Sequence, residues 1–280
     1  MEATINTNVI AISFSFAAFF SAIISTKIYI SFAKKFQIAS KPHQGGVRKD
    51  IVPTSSGVAF GFVYILIIFI FDNFFEIPSS YTLSIIFGSG LMLLIGFLDD
   101  IYPLSSSFRL LFQFLFLFLI GYLFDAYILL NQQYGLIISF VLLFGSIWII
   151  NTFNFIDGAD GLLSTNSAIF SIFGGAYIFL SGEITLAISL WILSCINIGF
   201  LFFNWSPAKV FMGDSGSLFL GSIFVIFLIG SIVSMKNVIW PLLILLSILY
   251  VETTVTLILD YGEKKMHLVN IIHCTHTNKK

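Results

Sequence analysis

Five aspartates are the residues of this sequence whose type and spacing best suit chemistry. Each stands next to a glycine or another acid in an otherwise apolar chain: Asp99, Asp100, Asp157, Asp160 and Asp214. Carboxylate oxygens are hard ligands, and Mg²⁺ in proteins is typically held by one or two carboxylates together with substrate phosphates. The pattern therefore indicates a Mg²⁺ or Mn²⁺ site that assists phosphoryl transfer.

The polar loop 204–221 lies between two apolar stretches and carries Asp214 among several glycines. Glycine lets the backbone turn sharply and approach a ligand closely. Two interpretations of Asp214 remain open: the N-cap of the next helix, or a carboxylate that holds a hard cation beside a phosphate. In the same loop, Lys209 can neutralise phosphate charge. The ring of Phe211 can stack on a base, although aromatic side chains are also common at membrane interfaces.

Two adjacent acids, Asp99 and Asp100, end the third apolar stretch. Adjacent helical residues point about 100° apart, so the two carboxylates cannot serve one atom equally. We expect one to lie near a metal or phosphate and the other to accept or orient a proton; a solvated helix end is the alternative. Arg109 follows closely and either extends its charged end to the membrane surface or pairs with an acid or a phosphate.

A polar side chain recurs at every third position of the next motif, at Asn151, Asn154, Asp157 and Asp160. On a helix the first three would share one broad stripe, and Gly158 and Gly161 would then release the backbone to present the acids. A helix end with glycine caps explains the glycines but not the two asparagines and two acids. We therefore interpret this motif as part of the same site.

Arg48 lies in a basic loop, 41–57, that also contains Gly and Pro turns. Contact with anionic lipid explains its basic residues as well as contact with a phosphate substrate does. Both interpretations stay open.

Composition excludes a soluble domain, because 58% of the 280 residues are hydrophobic and only 10% are charged. The formal net charge of −1 gives no sign of a nucleic-acid partner, and we expect none. The apolar stretches repeatedly reach the ~20 residues that cross a bilayer. We predict an all-α, polytopic transmembrane bundle with about nine spans, at 9–33, 54–71, 81–98, 108–124, 135–151, 161–180, 183–203, 216–234 and 237–258.

The lysines and arginines predict the orientation of these spans. With the N-terminus outside, 11 of the 13 fall on one side of the membrane, Lys27 lies near that end of the first span, and Lys236 falls on the other side. Basic residues favour the cytoplasmic side, so the motif loops are predicted to face the cytoplasm.

Three motifs together, 96–100, 151–161 and 204–221, resemble those of the polyprenyl-phosphate N-acetylhexosamine-1-phosphate transferases, bacterial glycosyltransferase family 4. The resemblance covers roughly residues 40–260 and is closer to the O-antigen and polysaccharide branch than to the peptidoglycan branch. It implies transfer of a sugar-1-phosphate from a UDP-sugar to undecaprenyl phosphate, with release of UMP. It also implies a Mg²⁺-dependent enzyme of the bacterial inner membrane, and a homodimer.

The resemblance also implies roles for individual residues. Asp214 would be the principal Mg²⁺ ligand, Asp99 a base or orienter for the lipid phosphate, and Asp100 a support at the metal and phosphates. The remaining substrate-binding set comprises Asn151, Asn154, Asp157, Gly158, Asp160, Asn204, Lys209, Phe211 and Arg48, of which Asp160, Asn204 and Phe211 would hold the uridine.

The C-terminal segment departs from the family pattern. We predict a transferase domain over 1–260 and an atypical cytoplasmic tail over 261–280. The family continues with a stretch of the form Ala-His-Arg-x-His and at least one more span, whereas His267, His273 and His276 have a different spacing. A truncated or frame-shifted product, a diverged active branch and an inactive relative all explain this, and we favour the first.

Two other functions compete with this prediction. An ion-coupled transporter would carry acids near the middle of its spans, but here all the singled-out acids except Glu252 cluster at predicted cytoplasmic ends. A non-catalytic relative of the family would keep the fold without the activity. The sequence does not identify the sugar.

Overall fold

The chain folds into a bundle of long helices. The computed structural model describes residues 2–38, 52–234, 242–247, 251 and 253–255, and these contain no β-sheet. The helices are α1 (Glu2–Phe36), α2 (Gly57–Phe75), α3 (Ser79–Ile101), α4 (Ser106–Leu123), α5 (Ala126–Ile156), α6 (Leu162–Leu180), α7 (Ile184–Asn204) and α8 (Gly213–Ser234).

The predicted fold class is confirmed. Eight helices within the described residues are long and apolar enough to cross a membrane, and they correspond to the first eight predicted spans. The ninth, 237–258, falls mostly outside the described residues, although 242–247, 251 and 253–255 are helical. The protein is therefore an all-α, multi-pass membrane protein.

Helix α8 forms the centre of the bundle. Of its span, 94% is buried inside the protein, against 17% for α1. A helix that is apolar all round must be enclosed, and α8 places Phe219, Phe224 and Phe227 in the core with no exposed surface. Helices α2, α3 and α5 pack around it. By contrast, α1 turns large apolar side chains such as Phe16 and Ile28 outward, as lipid contact requires.

Two helices depart from regular α geometry. Within α3, residues Ser84–Ser89 form a π-helical segment between two α-helical ones. Helix α5 bends at Gly135, whose φ of 79° and ψ of 168° lie outside the helical region. The bend separates residues 126–134 from the span Gly135–Ile156, which is the part predicted from hydropathy.

Glycines let three helices meet without intervening side chains at one end of the bundle. A Cβ at Gly96 of α3 would collide with the backbone of Asp214, and one at Gly57 of α2 would collide with the backbone of Gly216. Only glycine permits such an approach of two backbones. These contacts fix the first turn of α8 against α2 and α3, and they bring two of the acidic motifs together.

Candidate active site

The carboxylate of Asp100 caps the N-terminus of α8. Its Oδ1 accepts a hydrogen bond from the Asp214 amide at 2.9 Å, and its Oδ2 accepts one from the Ser215 amide at 3.1 Å. The first N–H groups of a helix lack partners within the helix, and the helix dipole favours a negative charge there. Gly213, at φ 73°, admits this close approach, since a Cβ would lie 2.6 Å from Asp100 Oδ2. Asp100 thus positions Asp214.

The interpretation of Asp214 as an N-cap is wrong. Asp214 is the second residue of α8, and the carboxylate of Asp100 accepts hydrogen bonds from the amides at the start of that helix. The Asp214 side chain is therefore available to other partners.

Asp99 faces a different set of partners from Asp100. Its Oδ1 accepts a hydrogen bond from the Leu104 amide at 2.7 Å, which fixes the turn between α3 and α4. Its Oδ2 faces Arg109, and the residue as a whole is only 9% exposed. The adjacent acids therefore have separate surroundings, as their helical positions predicted.

A single guanidinium lies between Asp99 and Asp214. Arg109 Nη1 is 3.3 Å from Asp99 Oδ2 and 3.5 Å from Asp214 Oδ2. These distances are within ion-pair range, yet Asp99 Oδ2 is buried and has no hydrogen bond of good geometry. The two carboxyl groups also lie within hydrogen-bonding reach of each other. Two acids from distant motifs thus face each other across one cation.

Asp157 brings the third motif to the same place. It ends α5 and is half-buried. Withdrawal from water is the main cause that raises the pKa of its carboxyl well above the ordinary value, and the charges of Asp214 and Asp100 add to it. A hydrogen bond from the Gly213 backbone acts in the opposite direction and lowers this pKa. The hydrogen bond from the Gly213 backbone places Asp157 beside the first turn of α8, where Asp100 and Asp214 also lie.

Asn151 links two helices rather than pointing freely into the cluster. It exchanges two side-chain hydrogen bonds with Gln113 of α4, at 3.1 and 3.2 Å, and its amide also donates to the Ile147 carbonyl. Gln113 is a supporting residue outside the predicted set. Farther along the same motif, Asn154 is half-buried and Gly158 is exposed.

Asn204 and Asp160 hold the loop 205–212 in place. Asn204 Oδ1 accepts hydrogen bonds from the Gly161 amide at 3.1 Å and from Ser164 Oγ at 2.9 Å, and its Nδ2 donates to the Val210 carbonyl at 3.0 Å. Asp160 Oδ2 accepts from the Ala208 amide at 3.1 Å. Asn204 is only 4% exposed, so both of its polar atoms are used inside the protein.

The same loop is paired with residues 52–57. The Phe211 amide donates to the Pro53 carbonyl at 2.8 Å, and the Phe211 carbonyl accepts from Ser56 Oγ at 2.7 Å. This pairing leaves the Phe211 ring half-buried and Lys209 exposed. Ser56 was missed by sequence reasoning, because no local pattern shows that its hydroxyl reaches a loop 155 residues away. Arg48 lies outside the described residues.

Two carboxylates of the acidic cluster are of the kind that hold a hard cation in proteins. Within the described part of the chain, no group of three or more His, Cys, Asp or Glu side chains is arranged to hold a metal ion. Asp99 and Asp214 nevertheless supply two facing carboxylates, one of which has a buried oxygen without a hydrogen bond. Mg²⁺ commonly takes one or two carboxylates and completes its shell with phosphate and water.

Comparison with known proteins decides the family. Residues 82–232, more than half of the chain, match the family model of glycosyl transferase family 4. The chain belongs to this family. The match confirms the resemblance based on the three motifs, all of which contribute residues to the matched region.

Three curated relatives of this family 4 protein illustrate two kinds of name. A Bacillus subtilis protein, "Probable undecaprenyl-phosphate N-acetylglucosaminyl 1-phosphate transferase", is 30% identical over 80% of this chain and 65% of its own length. The "Phospho-N-acetylmuramoyl-pentapeptide-transferase" of Streptococcus thermophilus is 33% identical over 87% of this chain and 77% of its own. A Streptococcus pneumoniae protein of the same name is 31% identical, with coverages of 92% and 82%. The chain thus spans slightly less than two thirds of the Bacillus protein.

Proposed function

We propose that this family 4 protein transfers a sugar-1-phosphate from a UDP-sugar to undecaprenyl phosphate and releases UMP. The observation that carries the proposal is the approach of Asp99 to Asp214 at one end of a membrane bundle, with Asp157 beside them. A site of this kind can hold a cation and phosphates where a lipid phosphate at the membrane surface would meet a nucleotide from the aqueous phase. The names of the relatives agree with this class of reaction.

In the proposed reaction, an oxygen of the lipid phosphate attacks the UDP-sugar phosphorus that is attached to the sugar. The bond between the two phosphates of the nucleotide breaks, and UMP leaves with the bridging oxygen. Asp99 is buried, and we assign it to orienting the lipid phosphate or accepting its proton. Asp214 and Asp99 would hold Mg²⁺, which when bound supplies positive charge against the repulsion of the two substrates.

The other residues of the site position the reacting groups. Asp100 holds the first turn of α8 and so fixes the backbone of Asp214. Asn204 is buried and bonded inside the protein, and we therefore assign it to holding the 205–212 loop rather than to contacting uridine. That loop presents the exposed Lys209 and the half-buried Phe211, which we propose as contacts for phosphate and base.

The finer assignments concern the sugar, the pathway and the membrane. We propose an N-acetylhexosamine donor, an active site on the cytoplasmic face and a bacterial inner membrane. The Phe-Asn-Phe-Ile-Asp-Gly pattern at 153–158 supports a polysaccharide or O-antigen branch. The relatives named for N-acetylmuramoyl-pentapeptide transfer support the peptidoglycan branch. A substrate panel distinguishes the two branches.

The panel uses purified protein in detergent with undecaprenyl phosphate and radiolabelled UDP-GlcNAc, UDP-GalNAc or UDP-MurNAc-pentapeptide, each with Mg²⁺ and with EDTA. We expect a lipid-linked product and an equal amount of UMP with one of the first two donors, and no product in EDTA. Product only from the pentapeptide donor would reassign the branch and leave the reaction class intact. Nucleotide binding without product from any donor would contradict the proposed activity and indicate a non-catalytic relative.

A further inference from the structure

Arg109 is placed to compensate two carboxylates that belong to different motifs. It lies in the first turn of α4, after Ser105, whose Oγ accepts a hydrogen bond from the Phe108 amide and caps that helix. From there its Nη1 reaches Asp99 and Asp214 at once. Of the Arg109 side chain, 33% remains exposed, so the group is accessible to solvent.

The contacts of Arg109 compensate charge without locking the side chain. Charge-assisted N–H···O bonds are usually about 2.7–2.9 Å long, and Arg–carboxylate pairs are frequently bidentate. Here one nitrogen serves both acids at 3.3 and 3.5 Å, and Asp99 Oδ2 has no hydrogen bond of good geometry. Such a pair holds the guanidinium loosely.

The oxygens that face Arg109 are also those best placed for a divalent cation. Asp99 Oδ2 and Asp214 Oδ2 converge on Arg109 Nη1, while Asp99 Oδ1 is occupied by the Leu104 amide. A guanidinium nitrogen and a metal ion cannot both lie between the same two oxygens. Without either cation, the two carboxylates would repel each other in a largely buried site.

We propose that Arg109 is an internal counter-ion that competes with the divalent cation for Asp99 and Asp214. Binding of the cation displaces the guanidinium from this pair, and loss of the cation lets it return. The inference rests on the proposed function, because it concerns the cation of that site. Linkage makes the effect reciprocal: Arg109 weakens cation binding by the same factor by which the cation weakens the contacts of Arg109.

The test measures Mn²⁺ binding to the purified full chain by electron paramagnetic resonance, without substrates and without an activity assay. In Arg109→Gln the competitor is absent, and we expect Mn²⁺ to bind about fivefold tighter or more, at the lower end of measured couplings between ligands. Arg109→Lys keeps the charge and serves as the matched control, with an affinity closer to the wild type. Equal or weaker binding by Arg109→Gln would overturn the proposal.

A second measurement follows Arg109 in the wild-type chain and therefore does not depend on whether Arg109→Gln folds. The chain has two arginines, Arg48 and Arg109, so ¹⁵N-arginine labelling gives few side-chain signals, and Arg48→Lys identifies them. Added Mg²⁺ should shift the Arg109 signal and speed the rotation of its guanidinium, and an unchanged signal at saturating Mg²⁺ would overturn the proposal.

Asp214→Asn separates failure of this inference from failure of the proposed function. If Asp214→Asn loses Mn²⁺ binding while Arg109→Gln binds like the wild type, the metal site stands and the competition is disproved. If Asp214→Asn binds Mn²⁺ as well as the wild type does, the proposed cation site is disproved, and the inference with it.

Discussion

Asp100 fixes Asp214 in place. Its Oδ1 accepts a hydrogen bond from the Asp214 backbone amide at 2.9 Å, although the two residues are 114 positions apart in the sequence. The cap comes from the end of one membrane-spanning helix and serves the start of another. This relationship makes Asp100 and Asp214 different in kind. Asp100 organises the backbone at the start of α8, and the carboxylate of Asp214 is the one we propose as a cation ligand.

We predict that Asp100→Ala is less stable than Asp214→Asn. Removal of Asp100 leaves the amides of Asp214 and Ser215 without their acceptor, which should cost about 1–2 kcal/mol, as the loss of a helix cap does. Asp214→Asn removes a charge that faces Asp99 and should melt at or above the wild-type temperature in metal-free buffer. Thermal unfolding of the purified proteins measures both. Equal melting temperatures for wild type and Asp100→Ala would refute the capping role.

Gly96→Ala should disrupt the site through packing alone. Its Cβ would collide with the backbone of Asp214, and overpacking of this kind typically costs about 1–3 kcal/mol. We expect a lower melting temperature and a loss of transfer. The matched control is Gly145→Ala on α5, where a Cβ meets nothing within 4 Å and should change neither property. If both variants behaved like the wild type, α3 and α8 could not be in the contact described.

Asn204→Ala should loosen the 205–212 loop. The substitution leaves the Gly161 amide and the Val210 carbonyl without their partner in a buried place, which costs about 1–3 kcal/mol per unsatisfied group. We expect faster proteolysis within the loop and weaker binding of UDP. Asn166→Ala is the control, because Asn166 donates to the Leu162 carbonyl of its own helix. A weaker affinity for UDP with unchanged proteolysis would instead favour direct contact between Asn204 and the nucleotide.

The Asn151–Gln113 pair should couple α4 to α5. Asn151 and Gln113 are hydrogen-bonded to each other through their side chains. Either Asn151→Leu or Gln113→Leu alone therefore leaves the remaining amide without these hydrogen bonds, whereas the double substitution removes both amides. We predict that the two single effects on melting temperature are not additive and that the double variant is no worse than the poorer single one. Strict additivity would mean that the pair contributes no interaction of its own.

Local signals explain why the fold was predictable. The length and apolarity of a stretch determine whether it spans a bilayer, so the eight spans within the described residues were recovered to within a few residues. The bend at Gly135 was not predicted, because a single glycine in an apolar run is compatible with a straight helix. The grouping of the acidic motifs was also predictable, since alternate spans must return to the same side of a membrane.

The roles within the site depended on contacts that no local pattern reveals. Asp99 and Asp100 were expected to differ, but only the approach of α3 to α8 at Gly96 shows which one becomes the cap. Asn204 looked like a ligand-binding residue from its motif, and its burial follows from the way the loop folds back onto Gly161. Arg48 and the tail 261–280 lie outside the described residues, so their predicted roles stay predictions.

The most direct test of the central claim is Mg²⁺-dependent transfer by Asp99→Asn and Asp214→Asn, measured as lipid-linked product under single-turnover conditions. Both substitutions keep the size of the side chain and remove the charge that the cation and the lipid phosphate are proposed to need. We predict no transfer by either variant at any Mg²⁺ concentration, with folding confirmed by thermal unfolding. Wild-type rates in either folded variant would contradict the account.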